Sequence, residues 1–166
     1  MCLLLASKYD ELDDHIPMVR DFQKLSRYLF THKECLVEEE AILTGLNWSL
    51  MSITSMHFLQ SLLGMGVVFE DDRQGSKLSQ IDEHSLMQVR KFSEFFIDFC
   101  AKHWALQSYR PSVLAVSAIV CARLVNKIYP LWNNKLSELT NYKFVKDGIK
   151  SCFEKIFSLY DQNFKI

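Results

Sequence analysis

Residues 111–124 read PSVLAVSAIVCARL, and this stretch decides the fold class. Its opening proline suits the first turn of a helix, where the missing N–H loses no hydrogen bond. Small side chains recur at three- and four-residue spacing at Ala115, Ala118 and Ala122, which lets neighbouring helices approach closely. A helix that is apolar on nearly every side is surrounded by other helices. The stretch therefore predicts the central helix of an all-α bundle.

A second apolar segment lies at residues 1–8, MCLLLASK, where Cys2 and Ala6 again bring small side chains to one stripe. Two such helices, far apart in sequence and each followed by further helices, favour two similar bundles in tandem. A single large helical bundle is the alternative. No strand-like alternation persists, so the fold class predicted is all-α. The helices are predicted at residues 1–9, 18–30, 35–48, 52–63, 81–107, 111–128, 132–140 and 142–163, with a loop or linker at residues 70–80.

Composition limits the function classes. Of the 166 residues 49% are hydrophobic, which is enough for a substantial core, and the net charge of −1 gives no broad basic field for nucleic acid. No apolar run approaches the ~18 residues that a membrane span needs. We therefore expect a soluble intracellular protein, nuclear or cytoplasmic or both, that binds neither nucleic acid nor membrane.

The chain carries five cysteines, an odd number, and none forms a CxxC pair. Most stand beside apolar residues, which predicts buried free thiols in a reducing compartment. The histidines do not pair with cysteines or acids at metal-ligand spacing, and no P-loop, GxGxxG or nucleophile-elbow pattern is present. We expect no metal, no cofactor and no catalytic residues. The five cysteines are Cys2, Cys35, Cys100, Cys121 and Cys152.

Lys8 and Glu39 occupy awkward positions in their predicted helices. At 100° per residue, Glu39 falls between Leu43 and Leu46, and Lys8 shares a face with Leu5. A carboxylate within an apolar arc loses hydration and needs a cation or N–H donors. One interpretation is a docking surface, where charged groups flanking an apolar pocket hydrogen-bond a partner's backbone. The alternative is that the two side chains are solvated at the bundle edge or pair with each other.

Several segments, in order along the chain, resemble the cyclin family. LLLASKYDEL (residues 3–12) resembles the third helix of the cyclin box, and EEEAILTGLNWSL (residues 38–50) resembles its fifth helix. SITSMHFLQSLL (residues 52–63) resembles the start of the second repeat. RPSVLAVSAIVCARL (residues 110–124) resembles the central helix of that repeat, and residues 132–160 resemble its last two helices. The resemblance implies tandem cyclin-box bundles.

The resemblance implies a regulatory subunit, and not an enzyme, that binds and activates a cyclin-dependent protein kinase. Lys8 and Glu39 match the lysine and glutamate that hold the mobile helix of the kinase in this family. The cyclin would stabilise the inward position of that helix. The kinase-binding residues implied are Leu5, Lys8, Tyr9, Glu39, Leu43, Trp48 and Leu50.

The resemblance divides the chain into a partial N-terminal cyclin box at residues 1–51, holding helices 3–5, and a C-terminal repeat at residues 52–166. The first two helices of the first repeat have no counterpart here. A central helix without these two neighbours would expose Leu3, Leu4 and Leu5, which is unfavourable in a stable monomer. Three explanations stay open: a fragment, a further protein that covers the open first repeat, or a degenerate repeat with a structural role. The main alternative function is a cyclin-fold scaffold subunit of a larger assembly with no kinase partner.

Overall fold

The computed structural model describes residues 1–75 and 80–164, and within these ranges the fold is all-α apart from one short strand pair. This confirms the fold class predicted from the sequence. The chain divides into two compact units, Met1–Ser52 and Ile53–Ile166, called here the first and the second unit. The helices are α1 (Cys2–Asp10), α2 (Val19–Leu25), α3 (His32–Gly45), α4 (Ser55–Met65), α5 (Glu83–Ala101), α6 (Pro111–Val125), α7 (Asn134–Thr140) and α8 (Ile149–Phe164).

Helix α6 is the centre of the second unit. Every residue from Val113 to Arg123 is buried, and α4, α5 and α8 all pack against it. Ala115, Ala118 and Ala122 are fully buried, as their small size and spacing predicted. The predicted central helix is confirmed, and it begins at Pro111.

Two long helices flank α6, and both are shorter than predicted. Helix α5 begins after Asp82, whose carboxylate accepts a hydrogen bond from the Ser85 N–H at 2.8 Å, and a separate 3-10 helix follows it. Helix α8 begins at Ile149 instead of residue 142, because Gly148 has a φ of 81° and interrupts the helical path. The helical periodicity identified the elements but not their ends.

The loop predicted at residues 70–80 includes one strand of the short antiparallel ladder. Strand β1 (Arg73–Gln74) pairs with β2 (Ile128–Tyr129), which follows α6. Residues 76–79 of that predicted loop lie outside the described residues.

A buried ion pair joins the loop after α4 to the end of α6. Arg123 and Asp72 have fully buried side chains, with Nη1–Oδ2 at 2.8 Å and Nη2–Oδ1 at 2.6 Å. The guanidinium also donates to the carbonyls of Val67 and Pro130, while the carboxylate accepts from Asn133. The partners are 51 positions apart in sequence, so this pair fixes a long-range contact of the second unit.

The first unit holds α1, α2 and α3, with α3 packed against both others. Leu4 and Leu5 of α1 are buried together with Cys35 and Leu43 of α3. The exposure that the missing helices would imply is therefore not seen for these two leucines, because they lie on the buried side of α1. Leu3 is 68% exposed.

Both remaining helices of the first unit are bounded by residues in the left-handed region of backbone space. Arg27 and Tyr28 have φ values of 55° and 59°, so α2 stops at Leu25 and does not continue to residue 30. Asn47 and Trp48 likewise have positive φ, so Trp48 lies beyond the end of α3. The start of α3 follows the Thr31 N-cap predicted from the sequence, since the Thr31 hydroxyl accepts from the Glu34 N–H at 3.2 Å.

Four of the five cysteines are buried free thiols, as predicted, but Cys2 is exposed. The prediction for Cys2 was wrong because Cys2 and its apolar neighbour Leu3 both lie on the exposed side of α1, away from Leu4 and Leu5. In the second unit, burial raises the pKa of the Cys100 thiol to about 12 and that of Cys152 to about 11. Burial also raises the pKa of Cys121 well above its usual range. These thiols are therefore neutral and unreactive at ordinary pH.

Candidate functional site

The side chains of Lys8 and Glu39 meet on the first unit. Lys8 lies in the last turn of α1, and Glu39 lies in the middle of α3, which packs against α1. The Lys8 ammonium donates to both carboxylate oxygens of Glu39, at 2.7 Å to Oε1 and 2.8 Å to Oε2. The position of Lys8 near the C-terminus of α1 also favours a cation through the helix dipole.

The side chain of Glu39 is less exposed than those of the two glutamates next to it. The Lys8 side chain is 40% exposed and the Glu39 side chain is 14% exposed. Glu38 and Glu40, on either side of Glu39, are exposed. Glu39 is therefore the one member of the EEE run that faces the apolar side of α3, and Lys8 supplies the cation that its position requires.

The apolar site residues predicted from the sequence fall into two groups. Leu5 and Leu43 are buried in the first unit, and Leu50 is half-buried. Tyr9 and Trp48 are exposed. Leu5 and Tyr9 flank Lys8 along α1, and Leu43 stands one turn after Glu39 on α3. Their role in binding a partner stays a prediction.

A cleft beside Lys8 was not predicted from the sequence. Its volume is about 610 Å³, and Lys8 is the one residue that it shares with the predicted set. Its wall is formed by Leu4 and by the segment that leads into α2, and its rim carries cationic and polar side chains. The lining residues are Leu4, Lys8, Ile16, Pro17, Met18, Val19, Arg20, Gln23 and His32. The signal that could have indicated it is the run of apolar residues at 16–18, which precedes α2 instead of lying within it.

The described residues contain no group of three or more histidine, cysteine, aspartate or glutamate side chains that could hold a metal ion. None of the helices in the described ranges is long and apolar enough to cross a membrane.

Comparison with known proteins identifies the family. Residues 53–165 match the family model of the cyclin C-terminal domain, and residues 1–51 match that of the cyclin N-terminal domain. The chain belongs to the cyclin family. The resemblance noted from its sequence motifs is confirmed, and the all-α bundles described above are consistent with it.

Among its relatives are Cyclin-J of Xenopus laevis, 25% identical over 169 residues, and Cyclin-J of Homo sapiens, also 25% identical over 169 residues. These alignments cover 99% of this chain and 43% and 42% of the respective relatives. G2/mitotic-specific cyclin S13-7 of Glycine max is 30% identical over 140 residues, which are 84% of this chain and 47% of that cyclin. The chain thus spans less than half the length of these curated relatives.

Proposed function

We propose that this cyclin-family chain is a regulatory subunit that binds and activates a cyclin-dependent protein kinase. The observation that supports the proposal is that α1 and α3 bring together, at 2.7 Å, the two residues that match the hallmark lysine and glutamate of the family. Pairing alone is also what the structural alternative expects, so the variants below are chosen to separate the two. The residues proposed to contact the kinase are Leu5, Lys8, Tyr9, Glu39, Leu43, Trp48 and Leu50.

The pair retains hydrogen-bonding capacity for a partner. An ammonium has three N–H donors, and Lys8 directs two hydrogen bonds at Glu39, so one donor is available for a backbone carbonyl. A carboxylate has about four lone-pair sites, and Lys8 uses two of those on Glu39. One partner helix end could therefore accept from Lys8 while a neighbouring N–H donates to Glu39.

Activation would follow from a shift between two states of the kinase. The kinase needs an ion pair between its own lysine and the glutamate on its mobile helix before the ATP phosphates are held correctly. A subunit that binds only the inward position of this helix favours the active state by its differential affinity. The chain itself would perform no chemistry in this mechanism.

The experiment is a binding titration with a purified cyclin-dependent kinase and kinase-activity measurement on the same complexes. Lys8→Ala and Glu39→Ala should each weaken binding by about 1–3 kcal/mol, because each removes a charge-assisted hydrogen bond. Glu38→Ala and Glu40→Ala are matched controls, since they remove the same charge from the same helix at exposed positions. Equal affinities for the Glu39 variant and both controls would contradict the proposal.

A charge exchange separates docking from a purely structural role of the pair. The double variant Lys8→Glu with Glu39→Lys keeps an ion pair between α1 and α3 but inverts its polarity toward a partner. If the two groups contact the kinase, this variant binds as weakly as the single variants, although its thermal midpoint falls only slightly, because the glutamate is placed at the C-terminal end of α1. If the pair only holds the two helices together, the exchange restores kinase binding, and the proposed contact is wrong.

A scaffold role without a kinase is the second candidate, favoured by the exposed apolar side chains of the first unit outside the Lys8–Glu39 surface. Leu25, Leu29 and Met51 are among the most exposed large apolar residues of the described chain. Affinity purification from cells distinguishes the two candidates: stable assembly with other proteins and no kinase subunit supports the scaffold.

A further inference from the structure

The second unit carries a partly exposed aromatic cluster where α5 and α8 meet. Phe92, Phe95 and Phe99 of α5 and Tyr160 and Phe164 of α8 form this cluster, called here the aromatic groove. The Phe95 ring stacks edge-on against Tyr160 and Phe164, with centroids 6.0 and 5.9 Å apart. Phe164 is 52% exposed and Phe95 is also solvent-accessible, although two large rings would gain from burial. Phe99 and Tyr160 are buried beneath them, so the partly exposed rings form the walls of a concave aromatic surface that could receive apolar side chains of a partner.

The groove consists of two clefts on either side of the Phe95–Phe164 ridge. One cleft, of about 380 Å³, lies against Phe92 and Tyr160, and the other, of about 330 Å³, lies against Phe99. Phe95 and Phe164 line both clefts, so the two form one continuous surface. Each cleft is large enough for one apolar side chain, which indicates a partner that presents two such side chains from one face.

The charged residues around the groove indicate that a partner would carry acidic groups. Lys91 lies at the edge of the first cleft, and Lys102 and His103 lie at the edge of the second. Asp98 is the acidic residue in the lining of the two clefts. Neither lysine has an ion-pair partner within residues 1–75 and 80–164, so both charges are available to an incoming carboxylate.

The spacing of these charges sets the partner's length. Lys91 and Lys102 are 11 positions apart along α5 and its C-cap, which corresponds to about 16 Å at 1.5 Å per residue. An amphipathic helix of about three turns spans this distance, and its apolar side chains at four-residue spacing lie together on the one face that would be turned toward the groove.

We propose that the aromatic groove docks an amphipathic helix of a partner protein, with two large apolar side chains in the clefts and acidic residues at both ends facing Lys91 and Lys102. The groove shares no residue with the kinase-contact surface proposed on the first unit. It is thus a second, independent interaction surface, which would recruit a further protein.

The test uses the full chain and a designed, fluorescein-labelled helical peptide. The peptide carries phenylalanine and leucine four residues apart, alanines elsewhere and two glutamates at each end, and a companion peptide has lysines in place of the glutamates. Fluorescence anisotropy at low ionic strength should show binding of the acidic-ended peptide and a clearly weaker interaction of the companion, with the difference shrinking as salt is added.

Variants then locate the binding site. Lys91→Glu and Lys102→Glu should each weaken binding about two- to fivefold, as expected for exposed charge pairs, and Phe164→Ala should weaken it about fivefold or more. Lys146→Glu is the matched control, because Lys146 is an exposed lysine of the same unit outside the groove. Thermal midpoints of the lysine variants should be unchanged, because these side chains are exposed.

Three outcomes would overturn this inference. The first is the absence of binding, and the second is equal affinity for the acidic-ended and the lysine-ended peptide. The third is an equal loss on Lys146→Glu. Sedimentation velocity of the chain alone adds a further check: a dimer that Phe164→Ala dissociates would mean that the groove binds a second copy of this chain instead of a partner helix.

Discussion

The two adjacent aspartates 71 and 72 allow a sharp test of what holds the second unit together. Asp72 is fully buried against Arg123, whereas the Asp71 side chain is 72% exposed and contacts Lys135 at 2.7 Å. We predict that Asp72→Asn strongly destabilises the second unit and that Asp71→Asn changes its stability little. The two variants remove the same charge at neighbouring positions, so each controls for the other.

The expected magnitude follows from the hydrogen bonds of Asp72. Its carboxylate accepts from both Nη atoms of Arg123, from the Phe69 N–H at 2.8 Å and from Asn133 at 3.1 Å. Asparagine keeps one oxygen acceptor, so in either orientation it loses one hydrogen bond to charged Arg123, worth about 1.5–3 kcal/mol, and one neutral hydrogen bond, worth about 1 kcal/mol. Breaking a buried ion pair by removing one partner costs about 3–5 kcal/mol, because the other charge stays buried without compensation. The two estimates agree.

Asparagine cannot replace aspartate here without a loss of stability, although the two side chains have nearly the same shape. Both oxygens of Asp72 face donors, since Oδ1 accepts from Arg123 and Asn133 and Oδ2 accepts from Arg123 and Phe69. An amide NH2 in either orientation would therefore face N–H groups instead of lone pairs. A loss of about 4 kcal/mol is a large part of the ~5–15 kcal/mol that stabilises a typical domain.

The assay is urea unfolding of the full chain in a Trp48→Phe background. Trp48 belongs to the first unit, so the tryptophan fluorescence then reports on Trp104 and Trp132 of the second unit alone. The double variant Asp72→Leu with Arg123→Met should be less destabilised than the sum of its two single changes, because it removes the charge together with its partner. Equal midpoints for Asp71→Asn and Asp72→Asn, or additive single losses, would refute the reasoning.

Three further predictions concern a helix cap and the thiols. Thr31→Ala should lower the free energy of unfolding by about 1 kcal/mol, because it removes the side-chain acceptor at the start of α3. Thr31→Ser should keep this stability, because serine retains the hydroxyl. Far-UV circular dichroism during denaturation measures both variants, and equal losses would argue against the cap. At pH 8, a thiol reagent should modify Cys2 rapidly in the native chain and the buried cysteines only after unfolding. Because the folded-state pKa values of Cys100 and Cys152 lie at about 12 and about 11, above the value of about 9 for an exposed thiol, the unfolded chain loses these protons first. The contribution of these two thiols to the free energy of unfolding is therefore complete below pH 9 and is lost as the pH rises toward 11–12. A free energy of unfolding that stays constant across this range in otherwise matched buffers would contradict the raised pKa values.

The sequence predicted much of the second unit because its strongest signal is local. In α6, apolar and small residues occupy every face of the helix, and no other arrangement of neighbours would bury them all. The Thr31 N-cap could also be predicted from the sequence, since the capping side chain and the N–H that it accepts from are only three residues apart. Local periodicity also identified Glu39 as the misplaced member of its glutamate run.

Helix ends were less predictable, because they depend on single backbone conformations. Arg27, Tyr28, Asn47 and Trp48 adopt positive φ, and none of them is a glycine that would have marked the position. The exposure of Cys2 was missed for a related reason, since apolar neighbours in sequence do not say which side of a helix the partner covers.

By itself, then, the sequence determined the all-α class, the central helix of the second unit and the two charged residues that need a partner, because each follows from the side chains within a few turns of helix. Only the tertiary structure decided which groups meet: Lys8 with Glu39 across 31 positions, Asp72 with Arg123 across 51, and Phe95 with Phe164 in the aromatic groove. Periodicity defines which face of an element is apolar, but the choice of partner depends on how distant elements pack. That packing is fixed by the sum of many weak contacts, which no single segment of the chain contains.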